Sequence, residues 1–231
     1  MLNMQGLSKV FQVEHVQTHA LRRLDLHVRE GEFVAVTGPS GSGKSTFLNI
    51  AGLLEDSTSG SYVLDGQDVS RLGDRERSRI RNEKIGFIFQ GFNLIPDLTL
   101  YDNVDVPLRY RGLSPRDRKE RISGVLERVG LGSRAHHYPG ALSGGQQQRA
   151  AIARALAGTP RLLLADEPTG NLDTEMAHGV MELLQEINTA GATIIIVTHD
   201  EEIAGRVARN VHIVDGHLSD LVRPVDALAP A

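Results

Sequence analysis

The sequence predicts an α/β protein: a parallel-sheet core carrying an N-terminal antiparallel β lobe and a helical insertion. Three observations predict it. Short apolar runs at Phe33–Val36, Leu162–Ala165 and Thr193–Val197 have the length and flanking residues of strands buried on both faces. Helix-like patterns alternate with these runs, as in α/β cores. The first run leads through a glycine-rich loop into a helical segment, Thr46–Leu54.

Taken in order, residues 1 to about 35 contain short segments such as Ala20–Leu26 and Phe33–Val36, punctuated by Arg29-Glu30-Gly31, as expected of strands joined by turns. Ser61–Leu64 and Gln67–Val69 flank Asp65-Gly66, a pair that readily takes the positive φ angles of a tight turn, so a hairpin is expected in the same lobe. From Asp74 to Arg81 and from Ser114 to Val129, charged and apolar residues alternate at helical spacing, and Ser-Pro opens the second stretch. Met176–Asn188 is helix-like between the last two strands. The β lobe and core are expected over about 1–90 and 160–220, the helical lobe over about 91–159, and a frayed Pro/Ala-rich tail over about 221–231.

At 231 residues the chain can bury a substantial core without staples. Its 25 Lys+Arg against 29 Asp+Glu leave a formal charge of -4, without the basic bias of a general nucleic-acid binder, so no nucleic-acid partner is expected. With no cysteine there is neither a disulfide framework nor a thiolate metal site, and a reducing compartment is the simplest setting. No stretch approaches the ~20 apolar residues needed to cross a bilayer, and the opening MLNMQGLSKV lacks the apolar core of a secretory signal. A cytoplasmic chain is the expectation.

Gly38-Pro39-Ser40-Gly41-Ser42-Gly43-Lys44-Ser45 satisfies G-x-x-x-x-G-K-[ST] between a predicted strand and a predicted helix, the setting of a P-loop NTPase (nucleoside triphosphatase) core. Glycines let successive N–H groups turn inward around a polyphosphate, and the helix N-terminus adds a favourable partial charge. Lys44 can reach the β- and γ-phosphates, Ser45 can place its hydroxyl on Mg²⁺, and Thr46 can add a phosphate contact. ATP with Mg²⁺ is the expected ligand pair.

Arg161-Leu162-Leu163-Leu164-Ala165-Asp166-Glu167 sets two acids at the end of an apolar strand, the edge of an α/β sheet where ligands bind. An isolated Asp-Glu pair often does no more than solvate a strand end. Beside a phosphate loop, Asp166 suits the Mg²⁺ shell, directly or through water, and Glu167 is placed to polarise the attacking water. His199 follows the strand Thr193–Val197, where a neutral or protonated imidazole can bond the γ-phosphate. His136 and His137 lack metal-ligand spacing and are expected in surface or packing roles.

Leu142-Ser143-Gly144-Gly145-Gln146, followed by Gln147-Gln148-Arg149, resembles the LSGGQ signature of the ABC ATPase family. Ser143 and the glycines can present a hydroxyl and open N–H groups to phosphate where a helix begins. The resemblance continues through Gln90 at the Q-loop, Asn171-Leu172-Asp173 at the D-loop and His199 at the switch histidine, and covers nearly the whole chain in family order. It implies that the helical insertion is the family's ABCα lobe. It also implies that Gln90 joins Ser45 and Asp166 at the metal and takes part in catalysis with Glu167, His199 and Lys44, and that Asp173 joins the nucleotide site. Ser143, Gly144, Gly145 and Gln146 would contact the γ-phosphate held by a second copy of the chain. Phe11 lies where the family usually has an adenine-stacking aromatic, though its ring equally suits core packing. Asn171 departs from the Ser common at that position.

The segment from Ile88 to Val104, with Ser-Gly-Gly-Gln-Gln-Gln-Arg and Ala-Asp-Glu-Pro-Thr-Gly-Asn-Leu-Asp, looks like the MacB/LolD subgroup. That resemblance implies a separate transmembrane permease as partner, a place on the cytoplasmic face of the inner (plasma) membrane, and export or lipoprotein release, with any periplasmic adaptor reached only indirectly. Phe92, Leu94, Ile95 and Leu98 can form the groove for a permease helix or pack inside the helical lobe. An FtsE-like cell-division ATPase signalling through a membrane partner is an alternative; Gln146-Gln147-Gln148 leans away from it. A soluble ABC ATPase of DNA repair or translation is another, disfavoured by the lack of a coiled-coil insertion, a second cassette or a basic bias. An importer ATPase is a third, for which the stretch after Asp215-Gly216 is expected to be too short for an appended regulatory domain.

Overall fold

A computed structural model of the chain describes residues 1–14 and 16–221; the expected frayed tail falls almost wholly outside them. Among the described residues two sheets form. Strands β1 (Leu2–Val13), β2 (Val16–Val28), β4 (Ser59–Leu64) and β5 (Gln67–Asp68) make an antiparallel sheet in the order β2-β1-β4-β5. Strands β3 (Phe33–Thr37), β6 (Ile85–Phe89), β7 (Leu162–Asp166), β8 (Thr193–Val197), β9 (Arg209–Val214) and β10 (His217–Leu221) make the central sheet, ordered β10-β9-β3-β8-β7-β6, parallel except for the terminal hairpin of β9 and β10.

The uninterrupted apolar runs have a direct structural cause. Successive side chains along a strand point to opposite faces, so a strand covered on both sides needs an apolar residue at every position. Val34, Val36, Leu162, Leu164, Ile195 and Val197 face a core shared with the antiparallel lobe and with Phe47 and Leu48 of α1 (Lys44–Ala51). Ala35, Leu163, Ala165, Ile194 and Ile196 face the opposite core, which runs into the helical lobe. That lobe comprises α3 (Leu100–Arg109), α4 (Pro115–Arg128) and α5 (Gly144–Leu156), with α6 (Thr174–Thr189) packing against α5.

The Asp65-Gly66 hairpin forms, with φ values of 50° and 75° at its two turn residues. The helix expected over Thr46–Leu54 begins two residues earlier, at Lys44, and closes at Ala51. The stretch expected as helix over Asp74–Arg81 becomes α2 (Asp74–Lys84), and β6 follows it with no turn signal between. Strand β6 contains Gly86 because a Cβ there would lie 2.7 Å from the Ala155 carbonyl oxygen, so this glycine reports helix-on-sheet contact. Helix α3 carries Pro107 within it, which masks its periodicity, and it is capped by Thr99, whose side chain accepts from the Asp102 N–H at 3.1 Å. Buried Asn103 on that helix bonds Ile95 N–H and the carbonyls of Ile95, Leu98 and Thr99, thereby tethering the segment that leads from β6 into the helical lobe. A short α7 (Glu201–Gly205) links β8 to β9.

Candidate nucleotide site

The loop after β3 is shaped by close approach. Gly38 has φ 144°, and a Cβ on it would sit 2.1 Å from the Ile213 carbonyl oxygen; one on Gly43, at φ 109°, would sit 2.4 Å from the Ala20 carbonyl oxygen. Only glycine fits either position. Gly41 takes φ 75° with open space around it. Helix α1 starts on Gly43 with no side-chain cap and no acid in its first turn, so its first N–H groups are left for an anion. Lys44 Nζ folds back to donate to the carbonyls of Gly38 at 2.7 Å and Pro39 at 2.9 Å. Ser42 lies buried under the loop, with a hydroxyl that has no partner among the described residues.

Around this loop is a cleft of about 390 Å³ lined by Ser40, Gly41, Gly43, Lys44, Ser45, Thr46, Asp166, Glu167 and His199, with Thr18, His19 and Ala20 of β2 as the facing wall. The parallel register brings the charged residues together: β3, β7 and β8 lie side by side, and each ends at this edge. Asp166 closes β7; burial first, and the neighbouring Glu167 second, push its carboxyl above the ordinary aspartate value of 3.8, while Lys44 opposes them. Glu167, one residue on, takes φ 45° with its N–H bonded to the Val197 carbonyl at 2.9 Å, a turn that re-aims its carboxylate away from the strand direction. Its Oε1 lies 2.8 Å from Nδ1 of His199.

The open helix N-terminus and the cleft's chemistry fit a polyphosphate, and a half-buried Asp166 whose charge is disfavoured there fits a cation beside it. No cluster of three or more His, Cys, Asp or Glu residues able to hold a metal exists among the described residues. Mg²⁺ binds through one or two protein oxygens and completes its shell with phosphates and water; Ser45 and Asp166 both line the cleft and would be the residues to hold such an ion.

Other expected site residues lie elsewhere. Gln90 follows β6 and is exposed; its carboxamide meets Asn171 and does not line the cleft. Ser143 caps α5, accepting from Gln146 N–H at 3.4 Å while its own N–H donates to Gln146 Oε1 at 3.2 Å, and this signature segment is absent from the cleft lining. Gly144 and Gly145 are where α5 meets the turn before α6 and Met176: added Cβ atoms would lie 3.2 Å from Leu172 Cδ2 and 3.1 Å from Met176 Sδ. Asp173 caps α6 through the Met176 N–H at 2.8 Å. Phe11 is exposed, not core, with Lys9 Nζ 4.8 Å from its ring centre; across the sheet it pairs with Thr18 of the cleft wall. Sequence reading missed Thr18 and His19, whose place follows from the β1–β2 register with Phe11 and from no motif of their own.

A second groove of about 1290 Å³ runs between the helical lobe and the sheet edge at β6. Phe92, Leu94, Ile95 and Leu98, expected either to form a partner groove or to pack inside the helical lobe, do not line it; Leu94 packs against the helical-lobe core, and Leu98 lines a smaller depression of about 430 Å³. The apolar surface of the larger groove comes from Phe87, Phe89, Val106, Pro107 and Tyr110. Arg154 in the groove donates to the carbonyls of Phe92 and Asn93, which take φ 60° and 50°; the segment therefore turns back and presents backbone to the groove.

The ABC transporter family profile matches residues 21–170. The chain is 48% identical over 215 residues, 93% of its length and 92% of the relative's, to an uncharacterized ABC transporter ATP-binding protein of Thermotoga maritima. It is 47% identical over 218 residues to a macrolide export ATP-binding/permease protein MacB 1/2 of Paracoccus denitrificans, a match covering 94% of this chain but 33% of that protein. Among solved structures, the dimeric ABC transporter cassette MJ0796 superposes with a TM-score of 0.86 at 41% identity, covering 97% of this chain and all of that one; a second MJ0796 dimer, in a post-hydrolysis state with ADP and Pi, gives the same values. Phosphate loop, acidic strand end and signature segment thus sit in one fold shared over nearly the whole length: the chain belongs to the ABC transporter family and is an ATP-hydrolysing nucleotide-binding cassette.

Proposed function

We propose that two copies of this chain close around two molecules of ATP with Mg²⁺ and drive a separate membrane permease, in MacB/LolD-type export or lipoprotein release. The observation that carries the dimer is the separation within one chain of its phosphate cleft from its signature segment, since Ser143 does not line the cleft that Lys44 and Ser45 line. A second copy, turned to bring its own Ser143, Gly144, Gly145 and Gln146 over that cleft, supplies what one chain lacks. The dimeric MJ0796 structures are consistent with this arrangement.

In this reading Lys44 leaves the Gly38 and Pro39 carbonyls for the β- and γ-phosphates, and Thr46 adds a contact. Phe11 stacks on the adenine from the sheet edge. Mg²⁺ supplies positive charge against the phosphate oxygens, held by Ser45 and Asp166 and joined by Gln90. Glu167 accepts a proton from the attacking water, and His199 orients Glu167 and faces the γ-phosphate. Asp173 holds the start of α6 against the dimer contact.

The permease helix lies in the larger groove. Arg81, Arg111 and Arg154 there bond backbone carbonyls, Leu53 O for Arg81 and Gly158 O and Asn82 O for Arg111; none of the three forms an ion pair among the described residues, and Glu83 offsets part of the Arg111 charge from the same groove. An amphipathic helix bearing carboxylates complements that surface. Among the described residues no helix is long and apolar enough to cross a membrane; the place on the membrane's cytoplasmic face belongs to the permease-coupled reading.

Affinity purification of the tagged chain from detergent-solubilised membranes tests the assignment. A partner with four spanning helices and a large extracytoplasmic domain is expected. A multi-spanning importer permease overturns the MacB/LolD-type reading, and the lack of any membrane partner overturns the coupled role.

A further inference from the structure

The side chains of Gln90 and Asn171 form a two-way clasp. Gln90 Nε2 donates to Asn171 Oδ1 at 3.2 Å, and Asn171 Nδ2 donates to the main-chain carbonyl of Gln90 at 3.1 Å. Gly170 leaves room for the clasp: a Cβ there would lie 2.6 Å from Gln90 Nε2, so the carboxamide would have to shift. Both residues are exposed, so the clasp contributes little to a core. What it does is direct the Gln90 carboxamide onto the turn after Glu167 and keep it out of the lining of the phosphate cleft. The other side of that turn touches the signature segment: a Cβ on Gly144 would lie 3.2 Å from Leu172 Cδ2 and 3.9 Å from the Asn171 carbonyl oxygen.

We propose that Asn171 is a positioning residue that parks Gln90 away from the metal, so that loading of Mg²⁺ and ATP must break the clasp and thereby frees the Gly170–Leu172 turn beside the signature segment. This rests on the reading that Gln90 joins the metal. An exposed pair of hydrogen bonds has a modest net strength, enough to bias a side chain between two positions and weak enough for a divalent cation to reverse. The clasp lowers the fraction of molecules with Gln90 ready for the metal, and the apparent affinity falls by that fraction. The Asn presents an acceptor to Gln90 Nε2 and a donor to the Gln90 carbonyl at once, which is what the clasp requires.

The test is a Mg²⁺ titration of binding, read by the fluorescence of mant-ATP, for the wild type, Asn171→Ala, Gln90→Ala and the double variant. Asn171→Ala is expected to lower the half-saturating Mg²⁺ concentration about 3- to 10-fold. Gln90→Ala is expected to raise it, and Asn171→Ala to change nothing in the Gln90→Ala background. Asn171→Asp keeps the acceptor, loses the donor and should fall between; it also carries the test if the alanine variant folds poorly. In the nucleotide-free protein the ¹⁵N side-chain amide resonance of Gln90 should move toward that of a free glutamine on Asn171 substitution. An unchanged Mg²⁺ requirement in Asn171→Ala, or an equal shift with and without Gln90, overturns the clasp alone. A Gln90→Ala protein with normal Mg²⁺ dependence removes the metal role of Gln90 and the clasp with it.

Discussion

Glu167 and His199 meet across the ends of β7 and β8, carboxylate Oε1 to imidazole Nδ1, at 2.8 Å. An ionised carboxylate can only accept, so against it Nδ1 is the donor and Nε2 stays out of this contact. The Glu167 side chain is 17% exposed and that of His199 72%, so the carboxylate is held by its surroundings while the imidazole stands in solvent. Glu167→Gln keeps the shape and loses the basicity. It should bind ATP normally, accumulate a closed dimer on size-exclusion chromatography, and release phosphate about 10²- to 10⁴-fold more slowly. Normal steady-state turnover by this variant would reject Glu167 as the base.

Asp166 is held above 3.8 by burial and by Glu167, against the pull of Lys44. The folded protein therefore keeps this proton to higher pH than the unfolded chain does, and stability falls as pH rises from 3.8 through the folded value. Asp166→Asn removes that cost. In thermal unfolding without nucleotide, the variant should melt above the wild type at neutral pH, and the gap should close as pH falls below 3.8. The same variant should lose the extra stabilisation that Mg²⁺ gives with ATP. A variant melting below the wild type at neutral pH contradicts the assignment.

The phosphate-loop glycines should differ in tolerance. At Gly41 an alanine meets open space and bears only the φ 75° strain, about 1–2 kcal/mol. At Gly38 the added Cβ would lie 2.1 Å from a backbone carbonyl of β9, so the loop or the strand must shift. Gly38→Ala should cost several kcal/mol in urea unfolding and abolish ATP binding. Equal losses at the two positions would show that the β9 contact is not what demands glycine.

Much of the site is legible in the chain itself. Lys44 and Ser45 are readable from the glycine-rich motif that follows an apolar run, and Asp166, Glu167 and His199 because each ends or follows such a run; a parallel sheet brings these ends to one edge. The β6 strand is not readable: it continues from a charged helix without a break, and its Gly86 signals contact with α5 rather than strand propensity. Helix α3 is hidden by Pro107. For Phe92, Leu94, Ile95 and Leu98 the sequence leaves two readings open, a partner groove or packing inside the helical lobe; positive φ at Phe92 and Asn93 sets the path of the segment, and Leu94 packs against the helical-lobe core.

The sequence by itself determined the family and carried the proposed chemistry, since a polyphosphate cradle, a metal-side acid and a base require particular residue types at short spacings. Tertiary structure alone decided which of them share a cleft. The Glu167–His199 pair joins residues 32 apart and the Gln90–Asn171 clasp residues 81 apart, and no local pattern encodes such a distance. Strand order sets the first contact and the turn after β7 sets the second, because hydrogen-bond reach depends on the path of the folded backbone through space.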